Sequence, residues 1–254
     1  MSQKRHRPTR TESEVRADLA AAFRLAALAG WDDTVYTHMS ASVPHKPGVY
    51  LINEFGLGFD EIKASNLVEV DASGAVVDGS GRKVNPTGFT IHGAVHQARP
   101  EVECVVHLHA QWGVALSMRP EGLLPTSQWA MRLHRRLGRH SYEGLALGAD
   151  EQKRLVTNLG ELDGLILDNH GTLTVGRTVA EAFLLMHILE RAAQAQLRAA
   201  AAAAALGGKL NVASDELADR TYRQWVGDGS EWDGDVEWPA LLRRAERLSP
   251  GFRD

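Results

Sequence analysis

The chain is short of cysteine, of aromatics and of long apolar runs. Of its 254 residues one is a cysteine, Cys104. No internal disulfide can form, and such sparing thiol use fits a reducing compartment, the cytoplasm. The apolar neighbours of Cys104 mark it as a small core residue and not a nucleophile. Without further cysteines the usual closed structural zinc site is excluded as well. No stretch approaches the roughly 20 apolar residues needed to cross a bilayer. The alanine-rich segment near 192–206 comes closest, and Gln194, Gln196 and Arg198 interrupt it, so no membrane partner is expected. Strong charge is missing too. A net charge of −4 leaves no global footprint for nucleic acid. The basic start, Lys4-Arg5-His6-Arg7 and Arg10, is not followed by an apolar core and reads as a flexible arm over 1–11.

What is present is ordinary in amount, 44% hydrophobic and 24% charged, enough for a full core without staples. Thr11-Glu12-Ser13-Glu14 has the form of a capping box. Val15, Leu19, Ala22, Phe23 and Ala26 follow at helical spacing, and Gly30 ends the helix. "YTHMSASVP" and "GVYLINEFG" read as antiparallel strands joined through Pro44–Gly48. "DEIKASNLVEV" reads as a short helix passing into a strand, and "DASGAVVDGSG" as a hairpin with glycine turns. A helix is expected over 88–98, stopped by Arg99-Pro100. "VECVVHLH" is a strand, "AQWGVALSM" a helix, 150–159 another helix. "DGLILDNHG" and "TLTVGR" are strands. Residues 178–206 form one long helix closed by Gly207-Gly208, its seven-alanine run explained by helix propensity and close packing. The polar tail, 209–254, with Trp225, Trp232 and Trp238, is expected to lie as an extension on the domain, 12–208, or on a neighbouring subunit. No linker long enough to divide the chain is seen. The pattern is that of an α/β fold with a mixed sheet covered by helices.

The chemistry concentrates in histidines. Residues i and i+2 of a strand share a face, so His107 and His109 in "VVHLH" present two imidazoles side by side. A second candidate, His170, follows the strand "LILD" in a glycine turn. Three histidines with an open fourth position are the pattern of a catalytic divalent-metal site. A histidine pair alone is also common at an ordinary strand end, and spacing does not show whether the two strands are neighbours.

Longer motifs run through most of the chain. They are Gly30-Trp31-Asp32 with "THMSA" at 37–41, "LINEFGLGFDEI" at 51–62, "PTGFTIH" at 86–92, Ala98-Arg99-Pro100, "VVHLHA", "GLLPTSQ", "HSYEG" and "LDNHGTLTVGRTVAEAF". In this ordered set the chain resembles the class II aldolase/adducin N-terminal domain family over roughly 12–240. The resemblance implies an α/β/α sandwich around a central, mostly antiparallel mixed sheet. It implies a homotetramer with sites near subunit interfaces, and His107, His109 and His170 as ligands of Zn²⁺, with Mn²⁺ as the other candidate.

The sequence departs from the sugar-phosphate aldolases of that family. Aligned through His92, their acid/base glutamate falls on Gly88, and their two phosphate-binding serines on Pro86 and Thr87. Their first phosphate loop, Gly-Asn, falls on Thr37-His38, and their second, Thr-Gly, on Phe55-Gly56. Glycine cannot abstract a proton, and loss of a general base commonly costs about 100- to 10,000-fold in rate. The expected substrate is therefore a small, unphosphorylated carboxylate or carbonyl compound, held by Thr37, Ser40, Gly56, Thr87 and Gly88. His38, His92 and Tyr142 are the candidate catalytic residues. The resemblance makes Tyr142 a proton donor, against a plain surface tyrosine; His92 equally suits a supporting role behind the metal. Asp60 and Glu61 suit an ordinary helix start. Two functions stay open: a metal-dependent carbon–carbon lyase (decarboxylation or retro-aldol cleavage of a hydroxy or keto acid or an aromatic carboxylate), and an adducin-like scaffold without turnover.

Overall fold

Helix α1, Glu12–Ala29, begins where the capping box stands. The Thr11 side chain accepts from the Glu14 amide, and Glu14 reaches back to the Thr11 amide. It ends at Gly30, whose φ of 68° is left-handed. The computed structural model describes residues 10–144, 149–227 and 234–254, without the side chains of Pro86, Thr87, Thr90 and Ala149. Of the arm expected over 1–11, only Arg10 and Thr11 are described, and Arg10 pairs with Asp18 on α1.

Seven strands form one sheet among the described residues. They are β1 His38–Ser42, β2 Val49–Ile52, β3 Val68–Asp71, β4 Cys104–Leu108, β5 Leu137–His140, β6 Gly164–Leu167 and β7 Gly171–Gly176. Their order is β3-β2-β1-β4-β7-β6-β5. Each neighbouring pair is antiparallel except β5 with β6. The α/β class with its mostly antiparallel mixed sheet is thus as expected. The "DEIKASNLVEV" segment differs in detail: two 3-10 turns, Phe59–Glu61 and Ala64–Asn66, precede β3. The return leg of the 71–81 hairpin makes only the isolated bridge Val70↔Val76. Glu61 and Asp60 start a turn, as their spacing predicted, and Glu61 accepts from the Gly58 amide.

Alternation along β4 separates the two faces of the sheet. Cys104, Val106 and Leu108 join Met39, Leu51, Phe23 and Phe183 in one core. That core lies under α1, the long helix α6, Val179–Leu206, and α8, Glu237–Leu248. Val105, on the opposite face, packs with Ile91 and Val95 of α2, Pro86–Ala98, and with Leu155 and Leu159 of α5, Ala149–Leu159. His107 shares that second face, because it lies two residues after Val105. A sandwich of helix, sheet and helix results.

Four elements were not legible in the sequence: α4, Gln128–Arg132, the edge strand β5, α7, Asp215–Val226, and α8. The tail therefore carries two helices among its described residues. Trp238 is buried and its indole donates to Asp18 at 2.9 Å. Trp225 is half-exposed beneath the Arg132 guanidinium, 3.9 Å from the ring centre. Trp232 lies outside the described residues. The alanine run of α6 is helical, but it is mostly exposed and Leu206 is 86% exposed. Helix propensity and not packing within this chain explains it.

Candidate metal centre

The two histidines of "VVHLH" stand at the C-terminal end of β4, and His170 stands in the turn that leads into β7. These strands are direct neighbours, with Leu108 opposite Thr172. The turn is tight. Asn169 takes a left-handed φ of 54°, a conformation asparagine tolerates better than most residues. Gly171 passes so close to β4 that a Cβ there would meet the Leu108 carbonyl at 2.5 Å. The Asn-His-Gly order is therefore dictated by the approach of β7 to β4, and that approach delivers the third imidazole.

One ring nitrogen from each of His107, His109 and His170 lies within 4.8 Å of the others. Ring centres are 4.8 Å apart for His107 and His170, 4.8 Å for His109 and His170, and 5.1 Å for His107 and His109. The other nitrogens of the first two are occupied. His107 Nδ1 donates to the Thr172 carbonyl at 3.0 Å. His109 Nδ1 meets Asp33 Oδ2 at 2.8 Å. Such partners orient an imidazole and leave its Nε2 lone pair for a cation. His109 Nε2 is buried and has no hydrogen-bond partner among the described residues, a costly condition in the absence of a ligand. Burial, with the neighbouring histidines, pushes His170 down to about 4 and His107 well below its ordinary range. His107 and His170 are thus neutral donors near pH 7. The residues fit a divalent ion. Asp33, adjacent to the Gly-Trp-Asp motif, was not picked out as a site residue from the sequence; the Thr172 carbonyl carries no side-chain signal at all.

Around this triad the remaining candidates separate. His38 lies opposite His107 in the β1–β4 register, with ring centres 5.3 Å apart. Burial first, then the charges of His109 and His170, push it down to about 3. Its ring fills the space beside Gly88. A Cβ at residue 88 would lie 2.3 Å from His38 Cδ2 and 2.5 Å from Nε2. The glycine and the histidine are therefore one feature: the ring occupies the room where a side chain at 88 would begin. His92 is fully buried behind His38, its Nε2 2.8 Å from His38 Nδ1. Ser40 is also fully buried, and its hydroxyl is spent between His92 Nδ1 at 2.6 Å and His96 Nε2 at 2.8 Å. That places Ser40 behind the pocket and not at the substrate. Tyr142 is 53% exposed with its ring 6.3 Å from that of His170.

Thr37 has a left-handed φ of 65°, a strained state for a β-branched residue. Its buried Oγ1 has no hydrogen-bond partner among the described residues. Asn53, just past the end of β2, also buries an unpartnered Oδ1. Both residues lie at the sheet end that carries His38 and His107. Asn53 belongs to the "LINEFG" motif but was not singled out. Gly56 sits in an open turn at φ 104° with space around it. The side chain of Thr87 lies outside the described residues.

Residues 17–197 match the family model "Class II Aldolase and Adducin N-terminal domain". The chain belongs to this family. An aldolase II superfamily protein from Pseudomonas syringae is 43% identical, with a TM-score of 0.89 and 98% of each chain covered. The L-fuculose 1-phosphate aldolase from Glaciozyma antarctica PI12 is 30% identical, with a TM-score of 0.83, over 96% of this chain and 94% of that one. Alpha-adducin of Rattus norvegicus is 37% identical over 95% of this chain, which spans 34% of the adducin. The class II aldolase/adducin domain thus accounts for the three-layer fold and for a histidine cluster that can bind a divalent metal. No helix among the described residues is long and apolar enough to cross a membrane.

Proposed function

We propose that this class II aldolase/adducin domain is a divalent-metal-dependent carbon–carbon lyase. Its substrate is a small, unphosphorylated hydroxy or keto acid or aromatic carboxylate, cleaved by decarboxylation or a retro-aldol step. The observation that carries this reading is the buried, unpartnered Nε2 of His109 in a triad whose other members converge on it. A scaffold has no need to bury an empty imidazole nitrogen beside two more. His107, His109 and His170 would hold the ion, Zn²⁺ before Mn²⁺ given an all-nitrogen donor set. When bound, it supplies Lewis-acid stabilisation of negative charge that develops on substrate oxygen.

The chain's own residues would do the rest. His107 and His109 are held in one tautomer by Thr172 and Asp33, so the triad is organised before ligand arrives. Thr37 Oγ1 and Asn53 Oδ1, both unpartnered, are available to orient a small polar substrate. Tyr142, its ring 6.3 Å from that of His170 and open to solvent, would return a proton to the carbon released by cleavage. No carboxylate stands at position 88 to remove a carbon-bound proton. Decarboxylation needs no such base, and this favours it over aldol chemistry.

The adducin match keeps the scaffold reading alive, and one measurement separates the two. Purified protein loaded with Zn²⁺ or Mn²⁺ and desalted should retain about one ion per chain, as expected of a three-histidine site. Less than about 0.1 ion per chain after loading would sink the enzyme reading. His107→Ala and His170→Ala should each abolish retention and leave folded protein. Full retention in either would refute the ligand assignment.

A further inference from the structure

We propose that Val102, His96, Ser40 and His92 form a tautomer lock on His38. The lock keeps the His38 proton on Nδ1 and offers the Nε2 lone pair where a side chain at residue 88 would begin, making His38 a positioning acceptor for a substrate hydroxyl.

The polarity follows from one end of the chain. A backbone carbonyl only accepts, so the 3.1 Å contact between His96 Nδ1 and the Val102 carbonyl requires a proton on His96 Nδ1. Burial pushes His96 down to about 4, so the ring is neutral and its Nε2 is an acceptor. Ser40 must then donate its single hydroxyl proton to His96 Nε2, at 2.8 Å. Its oxygen can only accept from His92 Nδ1, at 2.6 Å. His92 therefore carries its proton on Nδ1, and its Nε2 accepts from His38 Nδ1 at 2.8 Å. Each link leaves one choice for the next. In the neutral His38 ring this leaves Nε2 without a proton.

Secondary structure makes the chain possible. Residues 88, 92 and 96 repeat every four positions and share one stripe of α2. His38 and Ser40 alternate onto the one face of β1 that this stripe covers. His96 is further held by stacking on Tyr50, with ring centres 4.4 Å apart and planes inclined by 22°. His38, Ser40, His92 and His96 are all buried, so water is a poor substitute for any link, and reversing the chain would strand buried donors and acceptors. Gly88 is the other half of the device, because any Cβ there would displace the His38 ring. An acceptor at this point favours a ligand that brings a hydroxyl and disfavours a second carboxylate oxygen.

The lock stands apart from the proposed reaction, whereas the role as hydroxyl acceptor rests on it. Nitrogen-15 NMR of the full chain, histidine-labelled and metal-free near pH 7, reads the tautomers directly. His38, His92 and His96 should each carry the proton on Nδ1. A proton on Nε2 of any of them overturns the lock. Ser40→Ala should lose the single tautomer at His38, and Ser40→Thr, which keeps the hydroxyl, should retain it. An unchanged His38 signal in Ser40→Ala also overturns the lock. Glycolate added to zinc-loaded protein should shift His38 Nε2, and acetate should shift it less. Absence of a glycolate shift overturns the acceptor role. Locked tautomers in a chain that retains no metal would instead sink the lyase reading and leave the lock intact.

Discussion

At position 88 the presence or absence of one carbon decides what stands beside the histidine triad. Glycine there admits the His38 ring, and the contact distances leave no room for both. Gly88→Ala should therefore destabilise by about 1–3 kcal/mol, the usual cost of overpacking. His38→Ala should recover much of that loss in the double variant, a coupling readable from melting temperatures. Additive effects of the two changes would refute the mutual exclusion. Asp33 is the other decisive residue, since among the described residues it alone holds His109 Nδ1. Asp33→Ala should weaken zinc binding about 10- to 100-fold in chelator competition, with the fold retained. Unchanged affinity would show that the ring needs no such support. Neither effect is legible from residue types: Gly88 reads as a loss until the neighbouring strand is known, and Asp33 is 76 residues from its partner.

Among the elements, α6 reaches across to the short helix α3, Gln111–Ser117, through Glu190. This buried carboxylate accepts from the Gly113 amide at 2.6 Å. Burial outweighs its bonds to the Gly113 and Trp112 amides and pushes it up to about 7. The unfolded carboxyl, near 4.5, releases its proton first. Its own contribution to stability therefore falls by up to about 3 kcal/mol as pH rises from about 4.5 to about 7, opposite in sign to that of the buried histidines, and is level above that. Glu190→Gln keeps an amide acceptor and should remove this slope. It should raise stability at pH 8 by about 1–3 kcal/mol in denaturant titrations, and a loss of stability there would show that the charge is needed. The start of α1 allows a simpler test. Thr11→Ala should cost about 1 kcal/mol, because it removes the cap that the sequence announced. Helices α1, α2 and α6 were legible because each combines helical spacing with a recognisable start or stop. The edge strand β5 was not, since Leu137–Arg139 are all only partly buried and show no alternation. Helices α7 and α8 carry amphipathic patterns that a polar tail obscures.

For the whole molecule, the dominant electrostatic feature is the number of histidines kept neutral by burial. His96 and His187, outside the triad, are both pushed down to about 4, mainly by burial. An unfolded histidine takes up its proton near 6.5. Stability should therefore be lost as pH falls from about 6.5 toward 4, at up to about 1.4 kcal/mol per pH unit for each group. A melting temperature that stays level from pH 7 to pH 4.5 would contradict this. The tetramer implied by the family resemblance is a further expectation: light scattering should give four times the 27.7 kDa chain mass, and a monomer at micromolar concentration would exclude it.

The sequence by itself determined the layered α/β class, the strand that carries His107 and His109, the capped ends of α1 and α6, and the family. Those features are local: periodicity, turn residues and ordered motifs survive without knowledge of what lies opposite. Only the tertiary structure decided that β7 runs beside β4 and completes the triad with His170. It alone decided that His38 takes the place beside Gly88, and that Ser40 turns away from the pocket into a buried hydrogen-bonded chain. The reason is physical. Which lone pair is free, and which side chain fills a vacated volume, depends on contacts between strands and helices far apart in sequence, and spacing along one chain carries no record of them.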